Sequence, residues 1–180
     1  MLEISPDIVI ATVGAKPLIP EIPGVKNDNV VVAASMYDEN AIGKKVVVIG
    51  GGLVGCEEGL HLSHLGKKVT ILEMLEKAAK DAPYLYWLGL MKELEKSVRL
   101  ETHTKCTQIT EEGVFAVKEK GEERFFEADT VLLAVGLKPR TETVESLRYC
   151  APDFCVIGDC LQPATVMEAI HMGYFSALNI

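Results

Sequence analysis

The chain has 180 residues, enough for one large domain or one and a half small ones, and its composition (48% apolar, 24% charged) is that of an ordinary globular protein. Its formal net charge is -8, with no Lys/Arg run able to follow a phosphate backbone, which excludes nucleic acid as a partner. No apolar stretch approaches the roughly 18 residues of a bilayer span, and the start, Met1-Leu2-Glu3-Ile4-Ser5-Pro6, carries neither a basic leader nor a signal core. No membrane partner is therefore expected, and the cytoplasm is the expected location.

Taken in chain order, Asp7 to Thr12 reads as a short buried strand ending in Val13-Gly14-Ala15. Pro17, Pro20 and Pro23 then enforce an extended, irregular connection. A short strand is expected at Val30 to Val32 and a short helix at Ala34 to Asn40. Lys44-Lys45 leads into Val46-Val47-Val48-Ile49, an apolar run suited to a strand buried on both faces. A glycine-rich turn follows, then a helix to about Leu65 that Gly66 is placed to end. Lys68 to Leu72 reads as the next strand and closes a βαβ unit of about 30 residues.

Tyr84 to Lys96 has helical spacing, with Leu85, Leu88, Met91 and Leu94 on the apolar side and Pro83 suited to the first turn. The period then changes. Leu100 to Ile109, Val114 to Lys118 and Arg124 to Glu127 read as short antiparallel strands joined by polar turns. Thr130 to Val135 is again a buried strand, stopped by Gly136. A polar link leads to a strand over Asp153 to Ile157, terminated by Gly158-Asp159, and Thr165 to Leu178 reads as a final helix.

The turn Gly50-Gly51-Gly52-Leu53-Val54-Gly55 fits G-x-G-x-x-G, with a strand before it and a helix after it. Gly50 permits the tight turn, Gly52 lets a pyrophosphate approach the backbone, and Gly55 lets helix and strand pack closely. The helix N-terminus offers unpaired N–H groups and partial positive charge to phosphates. Glu73 ends the next strand about twenty residues on, where a carboxylate accepts hydrogen bonds from the adenosine ribose hydroxyls and repels a 2′-phosphate. No Arg follows it in Met74-Leu75-Glu76, so the pattern favours NADH over NADPH. The glycines alone do not separate a nicotinamide coenzyme from FAD.

Three further segments make the chain resemble the pyridine nucleotide-disulfide oxidoreductase type of flavoprotein, in which an NAD(P)H domain is inserted into an FAD domain. They are Ile10-Ala11-Thr12-Val13-Gly14-Ala15, Leu133-Ala134-Val135-Gly136-Leu137-Lys138-Pro139 and Val156-Ile157-Gly158-Asp159. The resemblance implies an α/β fold: a Rossmann-like doubly wound NAD(H)-binding domain over residues 41–137, with a small antiparallel β segment, inserted into an incomplete FAD-type domain over 1–40 and 138–180. It assigns the glycine turn, Glu73, Val135 and Gly136 to NADH. Thr12, Gly14, Gly158, Asp159 and Thr165 fall to FAD, with the last helix directed at the flavin pyrimidine ring.

The segments Val46 to Glu57, Val69 to Leu75 and Gly158 to Asn179 are also similar to the C-terminal part of the NADH:flavin oxidoreductases related to old yellow enzyme. That group includes the 2-enoate and 2,4-dienoyl-CoA reductases and trimethylamine dehydrogenase. It implies electron flow from NADH through FAD and an iron–sulfur cluster to FMN in a TIM barrel, where an enoate-type substrate is reduced. The first FAD glycine motif, the barrel and the cluster cysteines lie outside these residues. The expectation is accordingly a truncated portion of a larger enzyme, inactive and binding FAD poorly by itself, with the missing barrel and first FAD segment as partners and a homo-oligomer as a further one.

Other residue groups carry less. The five cysteines (Cys56, Cys106, Cys150, Cys155 and Cys160) read as reduced thiols, not as a metal set. Cys56 reads as a small packing residue, and His61 and His64 as solvent-facing helix positions. His171 is a weak candidate for flavin protonation, and Tyr84, Tyr86 and Trp87 read as packing residues. No catalytic acid, base or nucleophile is expected, because hydride transfer between cofactors needs none. The alternative function is a non-catalytic dinucleotide-binding or redox-sensing module that acts through a partner chain recruited by an exposed strand edge.

Overall fold

The structure is a computed structural model that describes residues 5–35 and 37–180. It divides into two compact units: Ile19–Gly136 forms one, and 5–18 with Leu137–Ile180 form the other.

The first unit is built on a five-stranded parallel sheet. In chain order its strands are β3 (Val30–Val32), β4 (Lys45–Ile49), β5 (Lys68–Leu72), β6 (Val98–Glu101) and β10 (Thr130–Leu133), arranged β3-β10-β4-β5-β6. Helix α1 (Leu53–His64) crosses from β4 to β5, and α2 (Tyr84–Ser97) from β5 to β6. The apolar runs are explained by what covers each face. Val46, Val48, Ile71 and Leu132 point to the helix side, where Leu62, Leu90 and Leu94 complete the core. Val47, Ile49, Leu72 and Leu133 point to the other side, against Ile109, Val114, Ala116 and Phe126. That second cover is the antiparallel sheet β7 (Thr104–Thr110), β8 (Gly113–Lys118) and β9 (Glu123–Glu127). The fold is the expected Rossmann-like α/β class, with antiparallel strands covering one face where a doubly wound sheet has helices.

Several local expectations are corrected. Leu100–Ile109 is not one strand: β6 ends at Glu101 within the parallel sheet, β7 starts at Thr104 in the antiparallel one, and His103 makes the break at φ 51°. Residues 34–35 and 37–40 form turns and irregular chain, not a helix. Ser35 N–H bonds back to Val32 O, and Asp38 Oδ1 accepts from Asn40 N–H at 2.9 Å, local bonds that compete with helix formation; Met36 lies outside the described residues. In α2 the buried stripe is Leu90 and Leu94, with Trp87 and Met91 packed against them, while Leu85 and Leu88 are exposed. Tyr84 and Tyr86 are exposed as well and do not join the core.

The second unit joins both ends of the chain. β1 (Ile8–Ala11) pairs in parallel with β12 (Asp153–Val156), and β2 (Ala15–Pro17) pairs antiparallel with β11 (Leu137–Pro139). Helix α3 (Thr141–Leu147) occupies what reads in sequence as a polar link, and α4 (Val166–Leu178) follows a short 3-10 turn at Gly158–Cys160. The unit ends at Leu18, short of residue 40, because Val30–Val32 pairs with β10 in the other unit. Among the described residues, no helix is long and apolar enough to cross a membrane.

Candidate functional site

The turn after β4 is shaped by close approaches that only glycine allows. Gly50 has φ 104°, and a Cβ there would lie 2.5 Å from Ala134 O. At Gly55 a Cβ would lie 2.0 Å from Gly50 O, so α1 starts in direct backbone contact with the turn. Gly52 differs. It is exposed and extended, and a Cβ would meet nothing within 4 Å. It is the N-cap of α1 and supplies no side-chain cap, and the first turn holds no acidic residue. Cys56 N–H is bonded back to Gly52 O at 3.0 Å, while the first-turn N–H groups of Leu53, Val54 and Gly55 have no partner within a helix. Val54 is exposed and Leu53 packs against the helix-side core.

Gly51 is held at both ends of its backbone. Its N–H donates to Glu73 Oε2 at 2.7 Å, and its carbonyl accepts from Ala79 N–H at 2.7 Å and from the Cys56 thiol at 3.4 Å. Glu73 is 7% exposed, and its other oxygen, Oε1, accepts from Leu75 N–H at 2.7 Å. Each carboxylate oxygen has a second lone pair, so Glu73 retains acceptor capacity for hydroxyl groups. Two cations of this region are engaged elsewhere. Arg99 is bound to Glu101 and lies 5.4 Å over Phe126, and Lys77 lies 4.2 Å over Trp87. Burial pushes the Glu101 carboxyl up, but hydrogen bonds from Lys118 and Arg99 outweigh it and hold the group below the usual range.

Val135 and Gly136 follow β10. Ala134 N–H donates to Ile49 O at 2.8 Å, Val135 packs on the antiparallel-side core, and Gly136 has φ 103°. Gly50–Gly55, Glu73, Val135 and Gly136 thus share the C-terminal edge of the parallel sheet, where open α/β sheets bind ligands.

In the other unit the sequence candidates also gather at strand ends. Thr12 follows β1 and Gly158 follows β12, with Ile157 N–H bonded to Ala11 O at 3.1 Å. Gly14 and Gly158 have φ 74° and 68° and open space where a Cβ would be. Asp159 Oδ1 accepts from Ala164 N–H at 3.3 Å. Thr165 caps α4 through a capping box with Glu168, whose carboxyl is held below the usual range by Thr165. The positive end of α4 therefore already faces one carboxylate.

All five cysteines are free, and no group of three His, Cys, Asp or Glu side chains converges as a metal site among the described residues. Cys56 sits at a helix N-terminus, where thiol pKa values fall, yet burial and the charges of Glu73 and Glu57 push it up to about 12. At pH 8 its alkylation in the native protein is expected to run about a thousand-fold slower than in the unfolded chain. Mass spectrometry of the labelled peptides checks this, and equal rates in both states would sink it. His61 is exposed and paired with Glu39 at 2.9 Å, and His64 and His171 are exposed. The sequence reading missed Ala79, a buried residue at φ 45° with no glycine to signal the left-handed backbone.

A parallel sheet with a glycine turn and an uncapped helix at its C-terminal edge defines a Rossmann-like dinucleotide-binding fold. The chain belongs to the pyridine nucleotide-disulphide oxidoreductase family, whose profile matches residues 4–173. This is a family of flavin-dependent oxidoreductases that use NAD(P)H and FAD. The chain is 34% identical to an NADH oxidase of Thermoanaerobacter brockii, over 98% of this chain and 28% of that protein. It is 32% identical to a cinnamate reductase of Clostridium sporogenes, over 99% of this chain and 27% of that protein. Among solved structures, a 2-naphthoyl-CoA reductase complex superposes with a TM-score of 0.89 at 27% identity, covering 99% of this chain and 28% of that one. The chain thus spans little more than a quarter of the length of these relatives.

Proposed function

We propose that this chain is the NADH-accepting portion of a larger flavin-dependent oxidoreductase. The observation that carries the reading is the open N-terminus of α1 at Gly52, with free first-turn N–H groups and the Glu73 carboxylate beside the same turn. In this reading the Gly50–Gly55 turn holds the pyrophosphate, and Glu73 accepts from the adenosine ribose. Val135 and Gly136 line the way to the nicotinamide. Thr12, Gly14, Gly158, Asp159 and Thr165 belong to an FAD site that is complete only in the full-length enzyme. The cofactors supply the redox chemistry, and the protein's part is to bind and orient them.

The cinnamate and 2-naphthoyl-CoA reductase likenesses support a finer reading, in which the parent enzyme is related to old yellow enzyme. Electrons would then pass by way of an iron–sulfur cluster and FMN, both outside these residues, to an enoate-type substrate. By itself the chain is expected to be inactive and colourless, and the cytoplasm remains the proposed location.

Calorimetric titration with NADH and NADPH tests the site. NADH is expected to bind at least about ten-fold more tightly, because the Glu73 charge opposes a 2′-phosphate and no free Arg offsets it. A preference for NADPH would overturn the role of Glu73, and binding of neither would overturn the site.

A further inference from the structure

Glu73 makes contacts that its role toward a ribose does not explain. Both of its oxygens accept backbone N–H groups within its own protein, from Gly51 and from Leu75 at 2.7 Å each. The Gly51 peptide is fixed as a result, its N–H on Glu73 and its carbonyl on Ala79 N–H. A peptide free to rotate at this point would turn a carbonyl dipole toward the helix N-terminus, where it repels phosphate oxygens. Ala79 keeps its buried left-handed conformation, which costs about 1 kcal/mol, because its surroundings are tied down. Trp87 Nε1–H donates to Ala78 O at 2.9 Å, and the carbonyls of Glu73 and Leu75 accept from Thr104 and His103 N–H.

We propose that Glu73 is a positioning residue for the phosphate-binding turn as well as a coenzyme contact, so that removing it weakens NADH and NADPH together instead of transferring preference to NADPH. The inference rests on the reading of the Gly50–Gly55 turn as the dinucleotide site. A carboxylate that only discriminates against a 2′-phosphate can be exchanged to change specificity. One that also sets the Gly51 peptide cannot, because the pyrophosphate subsite common to both coenzymes goes with it.

Gly51 offers an independent test. A Cβ on it would lie 2.8 Å from the Glu73 Cβ and 3.2 Å from Oε2, and a Cβ cannot swing aside, so Gly51→Ala pushes the turn away from Glu73 and breaks their contact while leaving the carboxylate charge in the protein. The experiment compares the 180-residue chain with Glu73→Ala and Gly51→Ala by titration with NADH and NADPH, and by amide hydrogen exchange at Gly51, with circular dichroism to establish the fold. Each variant is expected to lose about ten- to a hundred-fold in NADH affinity, the effect of hydrogen bonds to a charged acceptor. Neither gains NADPH affinity, and in Glu73→Ala the Gly51 amide exchanges at least about ten-fold faster. Should Glu73→Ala not fold, Gly51→Ala decides. Tighter NADPH binding in either folded variant, or wild-type NADH affinity in Gly51→Ala, overturns the inference and leaves the dinucleotide site standing. A wild-type chain that binds neither coenzyme removes the site and the inference with it.

Discussion

Replacing Gly55 with alanine is expected to destabilise the Ile19–Gly136 unit by about 3 kcal/mol or more, at the upper end of overpacking effects. The methyl would be placed 2.0 Å from Gly50 O and 3.1 Å from Ala134 Cβ, and neither neighbour has room to yield. The Gly50 carbonyl belongs to a backbone whose N–H is bound to Leu72 O at 2.9 Å, and Ala134 is held to Ile49 in turn. Relief therefore requires α1 to move off the sheet, which opens the core around Cys56 and Leu62. For a chain of this size the midpoint of thermal unfolding would fall by about 10 °C. Thermal or urea unfolding checks the result, and a midpoint within a degree or two of wild type would show that helix and strand do not meet as closely as described.

Gly52→Val should give the opposite pattern. A side chain there has open space and an ordinary extended backbone, so stability should change by no more than about 1 kcal/mol, mostly from a poorer N-cap. The isopropyl group, however, occupies the approach to the free N–H groups of α1. NADH affinity is expected to fall by about a hundred-fold or more, since the phosphate contacts and their favourable dipole are lost together. Calorimetry alongside an unfolding curve separates the two effects. Unchanged NADH binding in a folded Gly52→Val protein would place the pyrophosphate elsewhere. The pair of variants distinguishes a glycine required by packing from one required by a ligand, although both occupy fixed places in the same short motif.

The βαβ unit was the most legible part of the sequence, because its signals are local and agree. An apolar run, a glycine turn, a helix closed by Gly66 and a second strand follow one another without a gap. What escaped the reading depends on partners far along the chain. Nothing in Leu100–Ile109 shows that its first residues join Ile71–Leu72 while its last ones join Val114–Lys118. His103, which makes the break at φ 51°, is among the few non-glycine types enriched there, but most histidines are not left-handed, so its identity alone does not mark the break. Thr141–Leu147 buries only Val144, too little to leave a helical pattern, and the pairing of Ala15–Pro17 with Leu137–Pro139 spans most of the molecule.

The site divides in the same way. Its glycines and Glu73 could be picked out by spacing, since the chemistry demands those types at that distance. The bonds that tie Gly51 to Glu73 and Ala79 could not, because they depend on how the segment after Glu73 folds back over the turn. Burial of Cys56 was legible, and the size of its effect on the thiol was not, since two carboxylates add to it.

The short ribbon formed by Ala15–Pro17 and Leu137–Pro139 has a consequence for how the chain reaches its native state. These strands are the points at which the chain leaves and re-enters the second unit, so pairing them closes the whole Ile19–Gly136 stretch into a ring. Closing a ring of that length in a disordered chain costs about 5 kcal/mol of entropy. If the stretch has already collapsed onto its own sheet, most of that entropy has been given up beforehand. Connectivity therefore favours an order in which Ile19–Gly136 collapses before the two halves that flank it pair, since those halves have no local reason to find each other.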